Sequence, residues 1–354
     1  MNYYRAIDRS RYQFDFLVFS DDKGDYYDEI EDLGGRIISI VSSNWISRTI
    51  AMSRVFRSAN WVCIHSHTNS SNMFSLFAAY IARIPIRVSH AHVTGYLEKS
   101  WTRRMYHRIS RAAISKFSTQ KLACGELAAQ LLYNSDDAVT IIPNAIKAES
   151  FNRDRSEVVP RVRQDMCIAP ETTIILQVGR LDVVKNQEFT LDVAKELRKR
   201  RDNFVVLLVG RGMLEERLQK EITANALESK VKLLGVRDDI AELMLAADFL
   251  ILPSLLEGFP VVLVEAQAAG TMCLVSDHVS SEVDLGLNLI KFLSIPTKHS
   301  SDEIDKCANM WANSLDEKSK MPPPSEEHRQ KILDARGYSV TSATEKLTQI
   351  YEAK

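Results

Sequence analysis

Short apolar runs alternate with longer amphipathic stretches along the whole chain. In the first half, apolar runs with interspersed polar residues predict strands over residues 14–19, 36–40, 61–65, 86–89 and 139–142. In the second half the runs are continuous, as parallel strands covered by helices on both faces require, over residues 173–178, 204–209 and 249–252. Amphipathic stretches predict helices over 187–200 and 213–226. The alternation predicts an α/β protein with two doubly wound sheets.

The length of 354 residues agrees with two domains. Turn-forming residues cluster between 143 and 160, so we expect a first domain over 1–155 and a second over 156–337. The charge supports this division. The net charge of the chain is −1, yet residues 1–155 hold 20 Lys and Arg against 15 Asp and Glu, a net of +5, while the remainder has a net of −6. Such an asymmetry indicates two domains with different partners.

Several classes of protein are excluded by composition. No apolar run approaches the roughly 20 residues that span a bilayer, and the first residues lack the apolar core of a secretory signal. The balanced total charge gives no sign of a nucleic-acid partner. The cysteines are scattered, odd in number and free of C-x-x-C pairs, so we expect reduced core thiols of a cytosolic protein rather than disulfides or a zinc site. They are Cys63, Cys124, Cys167, Cys273 and Cys307.

Three loops of the second half follow predicted strands, where parallel sheets bind their ligands. After the first strand come Gly179-Arg180 and Lys185-Asn186, whose two cations can face one anion at a helix N-terminus or can simply be solvated. After the second strand comes Gly210-Arg211-Gly212, which is either a tight turn or a place where a ligand approaches the backbone.

The third loop carries two carboxylates around a short helix. Pro260 suits the first position of a helix and Gly270 its end, so we expect a helix between them. Glu257 lies just before this helix and Glu265 within it. A carboxylate accepts two hydrogen bonds at once from a vicinal diol such as ribose, and the free N–H groups near Gly258 and Phe259 can face a phosphate or sugar oxygen.

Together these motifs resemble those of the retaining glycosyltransferases of family 4, which have the GT-B fold of two facing Rossmann-like domains. The resemblance is firm over about residues 140–285 and looser before them, and it is greatest to bacterial capsule and exopolysaccharide transferases. The tail from Gly337-Tyr338 to Tyr351 resembles the final helix of the family, which packs back on the first domain. The residues that carry it are Gly179-Arg180 with Lys185-Asn186, Gly210-Arg211-Gly212, Leu234-Gly235-Val236, Ala247-Asp248, Pro253-Ser254, and Glu257-Gly258-Phe259-Pro260 with Glu265-Ala266.

The resemblance implies roles for the matching positions. Arg180 and Lys185 would hold the diphosphate of a nucleotide-sugar, and Glu265 its ribose. Glu257, with the backbone of 258–260, would hold the donor sugar. The remaining donor-binding positions are Gly179, Asn186, Gly210, Gly212, Gly235 and Val236. Preorganised cations and helix dipoles can stabilise a departing diphosphate without a metal, and no D-x-D metal motif stands out, so we expect neither cofactor nor metal.

The first half contributes His65, His67, His90 and His92, two pairs that each close a predicted strand. The resemblance implies a functional histidine at His90 or His92, near the donor sugar and the acceptor. A histidine at a strand end can equally be a hydrogen-bonded structural residue. In a retaining transfer the leaving phosphate can itself take the acceptor proton, so no separate protein base is required.

Basic residues dominate the first half. Residues 33–125 hold 13 Lys and Arg and one acid, Glu98. A basic amphipathic helix follows Glu98, and it either docks on the sheet with solvated charges or lies on an anionic membrane surface. We expect the second, at the inner face of the plasma membrane. Its cations are Lys99, Arg103, Arg104, Arg108, Arg111, Lys116 and Lys121, interleaved with Trp101, Met105, Tyr106, Ile109, Ile114 and Phe117.

The expected function is transfer of a hexose or N-acetylhexosamine from a nucleotide-sugar, by analogy a UDP-sugar, to a lipid-linked or oligosaccharide acceptor in cell-surface polysaccharide synthesis. The chain departs from the family at its start, where Met1–Asp8 resembles the end of a first helix and the preceding strand and Gly-rich loop are absent. Because that strand is central in a doubly wound sheet, its neighbours should lack a partner. The alternative is therefore a truncated, non-catalytic nucleotide-sugar-binding remnant or partner subunit.

Overall fold

The structure is a computed structural model that describes residues 1–24, 26–42, 44–93, 100–297, 300–316 and 322–352. The chain forms two compact units. Unit 1 comprises Met1–Ala145 and Gly337–Lys354, and unit 2 comprises Ile146–Arg336. The change at Ala145 lies ten residues before the expected boundary, because the turn over Ala148–Phe151 already packs against helices of unit 2. Among the described residues, no helix is long and apolar enough to cross a membrane.

Unit 1 is an alternation of short parallel strands and helices. Its strands are β1 (Phe16–Val18), β2 (Ile37–Ser39), β3 (Cys63–Ser66), β4 (Ile86–Ala91), β5 (Gln120–Ala123) and β6 (Thr140–Ile141). Its helices are α1 (Asn2–Ala6), α2 (Tyr27–Asp32), α3 (Trp45–Arg57), α4 (Asn72–Ile81), α5 (Trp101–Phe117), α6 (Glu126–Leu132) and, from the end of the chain, α14 (Val340–Glu352). Helix α14 packs against α1 and places Leu347 and Tyr351 in the same core as Val88 of β4.

The strands of unit 1 form two separate sheets within the described residues. One contains β1 and β2, and the other has the order β3-β4-β5-β6, with every pair parallel. In a doubly wound order the central strand would lie between β1 and β3. Within the described residues, β1 and β3 are not paired with each other.

Unit 2 contains one six-stranded parallel sheet of order β12-β11-β10-β7-β8-β9. Its strands are β7 (Thr173–Val178), β8 (Phe204–Val209), β9 (Val231–Leu233), β10 (Phe249–Leu252), β11 (Met272–Ser276) and β12 (Ile290–Leu293). Its helices are α7 (Arg155–Asp165), α8 (Gln187–Arg198), α9 (Glu215–Ala224), α10 (Ile240–Ala246), α11 (Val261–Ala269), α12 (Ser301–Asp316) and α13 (Glu326–Ala335). The chain runs outward from β7 in one direction and from β10 in the other, so a topological switch point lies between these two strands.

The continuous apolar runs of the sequence are the buried strands of this sheet. All side chains of β8 and β10 are buried, which confirms the expectation of strands covered on both faces. Helix α11 begins after Pro260 and ends at Gly270 in the left-handed conformation, although Pro260 caps the helix rather than forming its first residue.

The expectation of core thiols is partly wrong. Cys124, Cys273 and Cys307 are buried, whereas Cys63 is half-buried and Cys167 is exposed. Cys167 lies in the turn after α7 with φ +54, outside the periodic segments that determine burial.

Candidate functional site

The loops after β7, β8 and β9 are tied together at the carboxyl edge of the sheet. Gly179 donates its N–H to Val209, and Gly210 donates to the Gly235 carbonyl at 2.8 Å. A Cβ at Gly210 would lie 2.0 Å from the carbonyl oxygen of Gly179, and one at Gly212 would lie 2.2 Å from that of Leu181. The Gly-x-Gly motif is therefore required by close contact between backbone and backbone, in addition to its positive φ at Gly210.

Lys185 and Glu257 meet across the switch point. Lys185 follows β7 and Glu257 follows β10, and Lys185 Nζ lies 2.6 Å from Glu257 Oε1. The hydroxyl of Ser254 donates to the same oxygen at 2.6 Å. Both side chains of the ion pair are largely withdrawn from solvent, at 19% and 10% exposed. The sequence placed these residues in one site, and the structure joins them directly.

Arg180 is far more exposed than its neighbour Lys185. Its guanidinium forms an ion pair with Asp182 at 3.1 Å, and 83% of its side chain is open to solvent. Asp182 also caps the short turn over Val183–Lys185 by accepting the N–H of Lys185 at 3.0 Å. Lys185 is thus fixed by its surroundings, whereas the Arg180 side chain is held, among the described residues, by Asp182 alone.

A set of buried polar side chains supports these loops, and the sequence analysis missed it. Gln177, at the end of β7, donates to the Lys185 carbonyl at 2.9 Å and accepts from the hydroxyl of Thr190 at 2.8 Å. Gln187 donates to the Arg180 carbonyl at 2.8 Å. All three supporting side chains are at most 2% exposed. The available signal was Gln177 itself, a lone amide in an otherwise apolar strand.

The loop after β7 also contacts the loop after β10 through its backbone. Asn186 adopts the left-handed conformation with φ +55, and its amide donates to the Pro253 carbonyl at 3.1 Å. Leu255 donates its N–H to the Val184 carbonyl at 2.8 Å. These contacts keep the two loops together on either side of the switch point, which is the position where open α/β sheets bind their ligands.

Glu265 lies in α11, and its carboxylate has no hydrogen-bond or ion-pair partner among the described residues. Burial raises the pKa of this carboxyl above its ordinary value. A half-buried carboxylate without donors is costly in the free protein, and two hydroxyls of a ligand would satisfy it. This arrangement suits the ribose-binding role that the resemblance implies for Glu265.

The carboxyl end of α11 is neutralised by two arginines of unit 2. Arg329, itself 7% exposed, donates to the Ala268 carbonyl at 2.8 Å, and Arg155 donates to the Ala269 carbonyl at 3.1 Å. Cations at this end complement the helix dipole. The amino end of α11 directly follows the loop that contains Glu257.

The remaining expected donor-binding positions differ in exposure. Phe259 and Pro260 are buried, Gly258 is half-buried, and Val236 is 64% exposed. Gly235 has φ +64 and open space around the position of a Cβ, so a ligand can approach its backbone. All of these positions lie in the loops that follow β9 and β10.

In unit 1 the four histidines form a two-layered array. The inner layer is His65 and His90, whose Nε2 and Nδ1 atoms lie 3.1 Å apart. The outer layer is His67 and His92, whose Nδ1 and Nε2 atoms lie 2.8 Å apart. The layers stack on each other, with ring centroids 4.1 Å apart for His65 and His67 and 4.3 Å apart for His90 and His92.

The array distinguishes the two histidines that the sequence could not separate. His90 is 1% exposed, whereas His92 is half-buried. The backbone N–H of His92 donates to Oδ1 of Asn69 at 2.9 Å. Loss of solvation lowers the pKa of all four rings, and the charge of neighbouring rings lowers three of them further. The imidazoles are therefore neutral near pH 7, with the outer layer on the solvent side.

A metal ion would have to disrupt this array. One ring nitrogen from each of His65, His67 and His90 falls within a 4.8 Å span, whereas neighbouring nitrogens around a tetrahedral zinc lie about 3.3 Å apart. One nitrogen of each ring is already engaged in an N–H···N hydrogen bond. The hydrogen-bonded array accounts for the geometry better than a zinc site does, and the expected absence of a metal requirement stays a prediction.

Comparison with known proteins agrees with this arrangement. The family model for "Glycosyl transferases group 1" matches residues 159–310. EpsF of Bacillus subtilis, named as a glycosyltransferase, is 33% identical over 361 residues, which cover 99% of this chain and 91% of EpsF. An Escherichia coli α-1,3-galactosyltransferase, named for UDP-Gal and α-D-GlcNAc-diphosphoundecaprenol, is 24% identical over 96% of this chain and 89% of its own length.

Solved structures share the fold. Anabaena HepE, crystallised with UDP, matches with a TM-score of 0.76 and 19% identity over 96% of this chain and 91% of the HepE chain. WaaG, a glycosyltransferase of lipopolysaccharide biosynthesis, matches with a TM-score of 0.64 over the whole of this chain and 95% of its own. The extent of the similarity to EpsF, along both chains, establishes that the protein belongs to the group 1 glycosyl transferases, glycosyltransferase family 4, with the GT-B fold.

Proposed function

We propose that the protein is a retaining glycosyltransferase that moves a hexose or N-acetylhexosamine from a UDP-sugar to a lipid-linked acceptor in cell-surface polysaccharide synthesis. The observation that carries the proposal is the meeting of Lys185, Glu257 and Ser254 at the switch point of unit 2, in a chain of this family. The HepE structures with UDP and UDP-glucose and the name of the E. coli relative support a UDP-sugar and a diphosphoundecaprenol-linked acceptor.

The site would act by stabilising the departing UDP. Lys185 is already ordered by its ion pair with Glu257 and by the side chains of Asp182 and Gln177, which bind its backbone. It therefore needs little reorganisation when negative charge develops on the diphosphate. Arg180 is exposed and can move onto the same anion from solvent. Glu257 would hold hydroxyls of the donor sugar, and Glu265 would accept the ribose hydroxyls. No metal is needed for these steps.

The alternative of a non-catalytic remnant makes a different prediction. It retains the donor site of unit 2 but performs no transfer. The similarity to EpsF along 99% of this chain and 91% of that protein favours the enzyme.

A thermal-shift screen with UDP-, GDP- and ADP-sugars, followed by transfer of the best donor sugar to a diphosphopolyprenyl-linked acceptor, tests the proposal. We expect stabilisation by a UDP-sugar and formation of glycosylated lipid. Tight binding of UDP with neither transfer nor donor hydrolysis would favour the remnant.

We further propose that unit 1 docks on an anionic membrane surface through α3, α4 and α5. Helix α5 exposes a stripe of Trp101, Met105 and Ile109, at 73%, 46% and 56%, flanked by the exposed Arg104 and Arg108. Exposed apolar residues on a basic helix are characteristic of helices that lie in a membrane interface. The docking site would be at the inner face of the plasma membrane, where a lipid-linked acceptor is presented to a cytoplasmic enzyme.

Neighbouring helices extend this surface. Helix α4 contacts both α3 and α5. Helix α3 exposes Trp45, Ile46 and Ile50, and α4 exposes Phe77 and Tyr80. If these helices only packed against the sheet and faced solvent, we would expect such large apolar side chains to be covered. Lys99 and Glu98 of the predicted basic segment lie outside the described residues.

Two cations of the predicted basic helix serve the fold of unit 1 instead. Arg111 donates to the carbonyls of Gln130 and Leu131, and Lys121 lies in β5 and pairs with Asp137 at 3.1 Å. The membrane surface therefore depends on fewer cations than the sequence suggested.

Flotation with vesicles of phosphatidylglycerol and phosphatidylcholine tests the docking surface. We expect R104E/R108E to weaken binding at low salt about tenfold or more, since each cation near an anionic surface contributes about 1 kcal/mol. The matched control is R217E, on an exposed arginine of unit 2. Wild-type protein that fails to float with anionic vesicles at low salt would disprove the docking.

A further inference from the structure

A hydrogen-bond chain connects the last helix to the histidine array within unit 1. Tyr351, in the last turn of α14, places its hydroxyl 2.7 Å from Nδ1 of His65. Nε2 of His65 lies 3.1 Å from Nδ1 of His90. The three side chains come from α14, β3 and β4, and Tyr351 is 286 positions from His65 in the sequence.

The direction of the protons along this chain follows from the partners available. The Tyr351 hydroxyl has His65 as its one hydrogen-bond partner among the described residues, and burial raises its pKa well above the ordinary value. A protonated hydroxyl with a single partner donates to it. Nδ1 of His65 therefore accepts, and the neutral ring carries its proton on Nε2, which donates to Nδ1 of His90. His90 then carries its own proton on Nε2.

The remaining nitrogen of His90, Nε2, carries the proton in this assignment. It is buried, and no acceptor in the described residues meets hydrogen-bond geometry with it. The backbone of Ile142 nevertheless interacts favourably with the charged form of this ring. The directional hydrogen bonds of the inner layer are thus those of the chain that begins at Tyr351.

The inner layer supports the outer one. His92 stacks on His90 with an interplanar angle of 27°, and His67 stacks on His65 at 29°. Because His67 is exposed and His92 is half-buried on the solvent side, they can reach a ligand, whereas His90 is buried and cannot. The orientation of the inner rings therefore determines the plane on which the outer rings rest.

We propose that Tyr351 is a positioning residue of this transferase: its hydroxyl sets the tautomers of His65 and His90 and so holds His92 in place for the acceptor. Its effect on turnover rests on the proposed function. Its effect on the tautomers does not, because it concerns only contacts within unit 1.

The hydroxyl can be removed without removing the ring. The ring of Tyr351 packs edge-on against Phe14 at 5.7 Å and lies 6.3 Å from Tyr12, and both contacts survive in Tyr351→Phe. The chain also offers a matched control. The hydroxyl of Tyr12 bonds to Glu352, the residue next to Tyr351, so Tyr12→Phe removes a hydroxyl bonded to the same helical turn without touching a histidine.

The experiment compares these two variants with wild type in full-length protein labelled with 15N-histidine. We expect Y351F to shift the ring-nitrogen resonances of His65 and His90 and to lower kcat about 3- to 10-fold, which is the loss of one buried hydrogen bond. The KM for the donor and the affinity for UDP should stay unchanged, because the donor site lies in unit 2. Y12F should leave the resonances and kcat as in wild type.

Two outcomes would overturn the proposal, and both are distinct from failure of the proposed function. Unchanged histidine resonances in Y351F would show that the hydroxyl does not set the tautomers. Equal kcat in Y351F, Y12F and wild type would show that the tautomers do not matter for transfer. Wild-type protein that transfers no sugar would count against the proposed function, while the resonances would still decide the structural claim.

Discussion

The two units hold their polar side chains in opposite ways. In unit 2 the central group is an ion pair, Lys185 with Glu257, supported by buried amides that bind the loop backbone. In unit 1 the central group is four uncharged imidazoles that bind one another. Both groups lie where loops leave the carboxyl ends of parallel strands. The same edge of the same kind of sheet therefore carries charge in one unit and neutral donors and acceptors in the other.

The difference separates two chemical tasks. Fixed cations and helix dipoles stabilise a departing diphosphate, which is the largest change in charge during glycosyl transfer. Neutral imidazoles orient hydroxyl groups by hydrogen bonding without competing for that anion. Variants of these groups and of the loops that hold them test the difference and measure its size.

Removal of Lys185 should have the largest effect. We expect K185A to lower kcat about 100- to 1,000-fold, because a preorganised donor is lost where the anion develops, with a smaller change in the KM for the donor. Steady-state kinetics measure both constants. The control is K199A, which removes an exposed lysine of unit 2 that pairs with Glu196 on the surface. Comparable loss in K199A, or normal turnover in K185A, would remove Lys185 from the site.

The next largest effect should come from the close backbone contact at Gly210, which affects the stability of the protein. We expect G210A to destabilise the protein by about 2 kcal/mol or more, because its Cβ would lie 2.0 Å from a backbone oxygen. G235A is the matched control, since it too has positive φ but meets no atom within 4 Å, and it should cost about 1 kcal/mol. Thermal unfolding measures both changes. If the two variants were equally stable, backbone strain alone would explain the motif.

Removal of the Glu265 charge should weaken UDP binding but stabilise the free protein. We expect E265Q to weaken UDP binding about tenfold, as measured by calorimetry, because an amide offers the ribose one acceptor oxygen instead of two. The same variant should stabilise the free protein at pH 7 by about 1 kcal/mol, since a half-buried carboxylate without donors is removed.

The pH dependence of this gain follows from the raised pKa of Glu265. The folded state holds the proton more tightly than the unfolded state, so the penalty is absent below the unfolded pKa of about 4.3. It develops as the pH rises from the unfolded pKa to the raised folded pKa and is constant above the folded pKa. The stability gain of E265Q should thus vanish at acid pH. The exposed E228Q should show no gain at any pH, and a gain equal to that of E265Q would contradict the assignment.

The sequence predicted the elements of the fold better than the contacts within the site. The apolar runs of β7, β8 and β10 and the Pro and Gly around α11 are local signals, and the structure confirms those elements. The ion pair of Lys185 and Glu257 joins residues 72 positions apart, and it depends on β10 lying beside β7, which no local pattern encodes.

The histidines show the same limit. Their positions at the ends of β3 and β4 were visible in the sequence, but their pairing depends on the register that places His65 beside Val88. The sequence pattern could not predict that His90 is buried and His92 is not, because both belong to one polar stretch. The contact of Tyr351 with His65 requires a helix from the far end of the chain.

The central claim is that unit 2 holds a UDP-sugar for metal-independent transfer with retention. The most direct measurement is the NMR spectrum of the glycosylated lipid formed by wild type and K185A from the preferred UDP-sugar in the presence of EDTA. We expect an α-linked product from an α-linked donor with wild type and almost none with K185A. A β-linked product, or transfer that stops when EDTA is added, would contradict metal-independent transfer with retention.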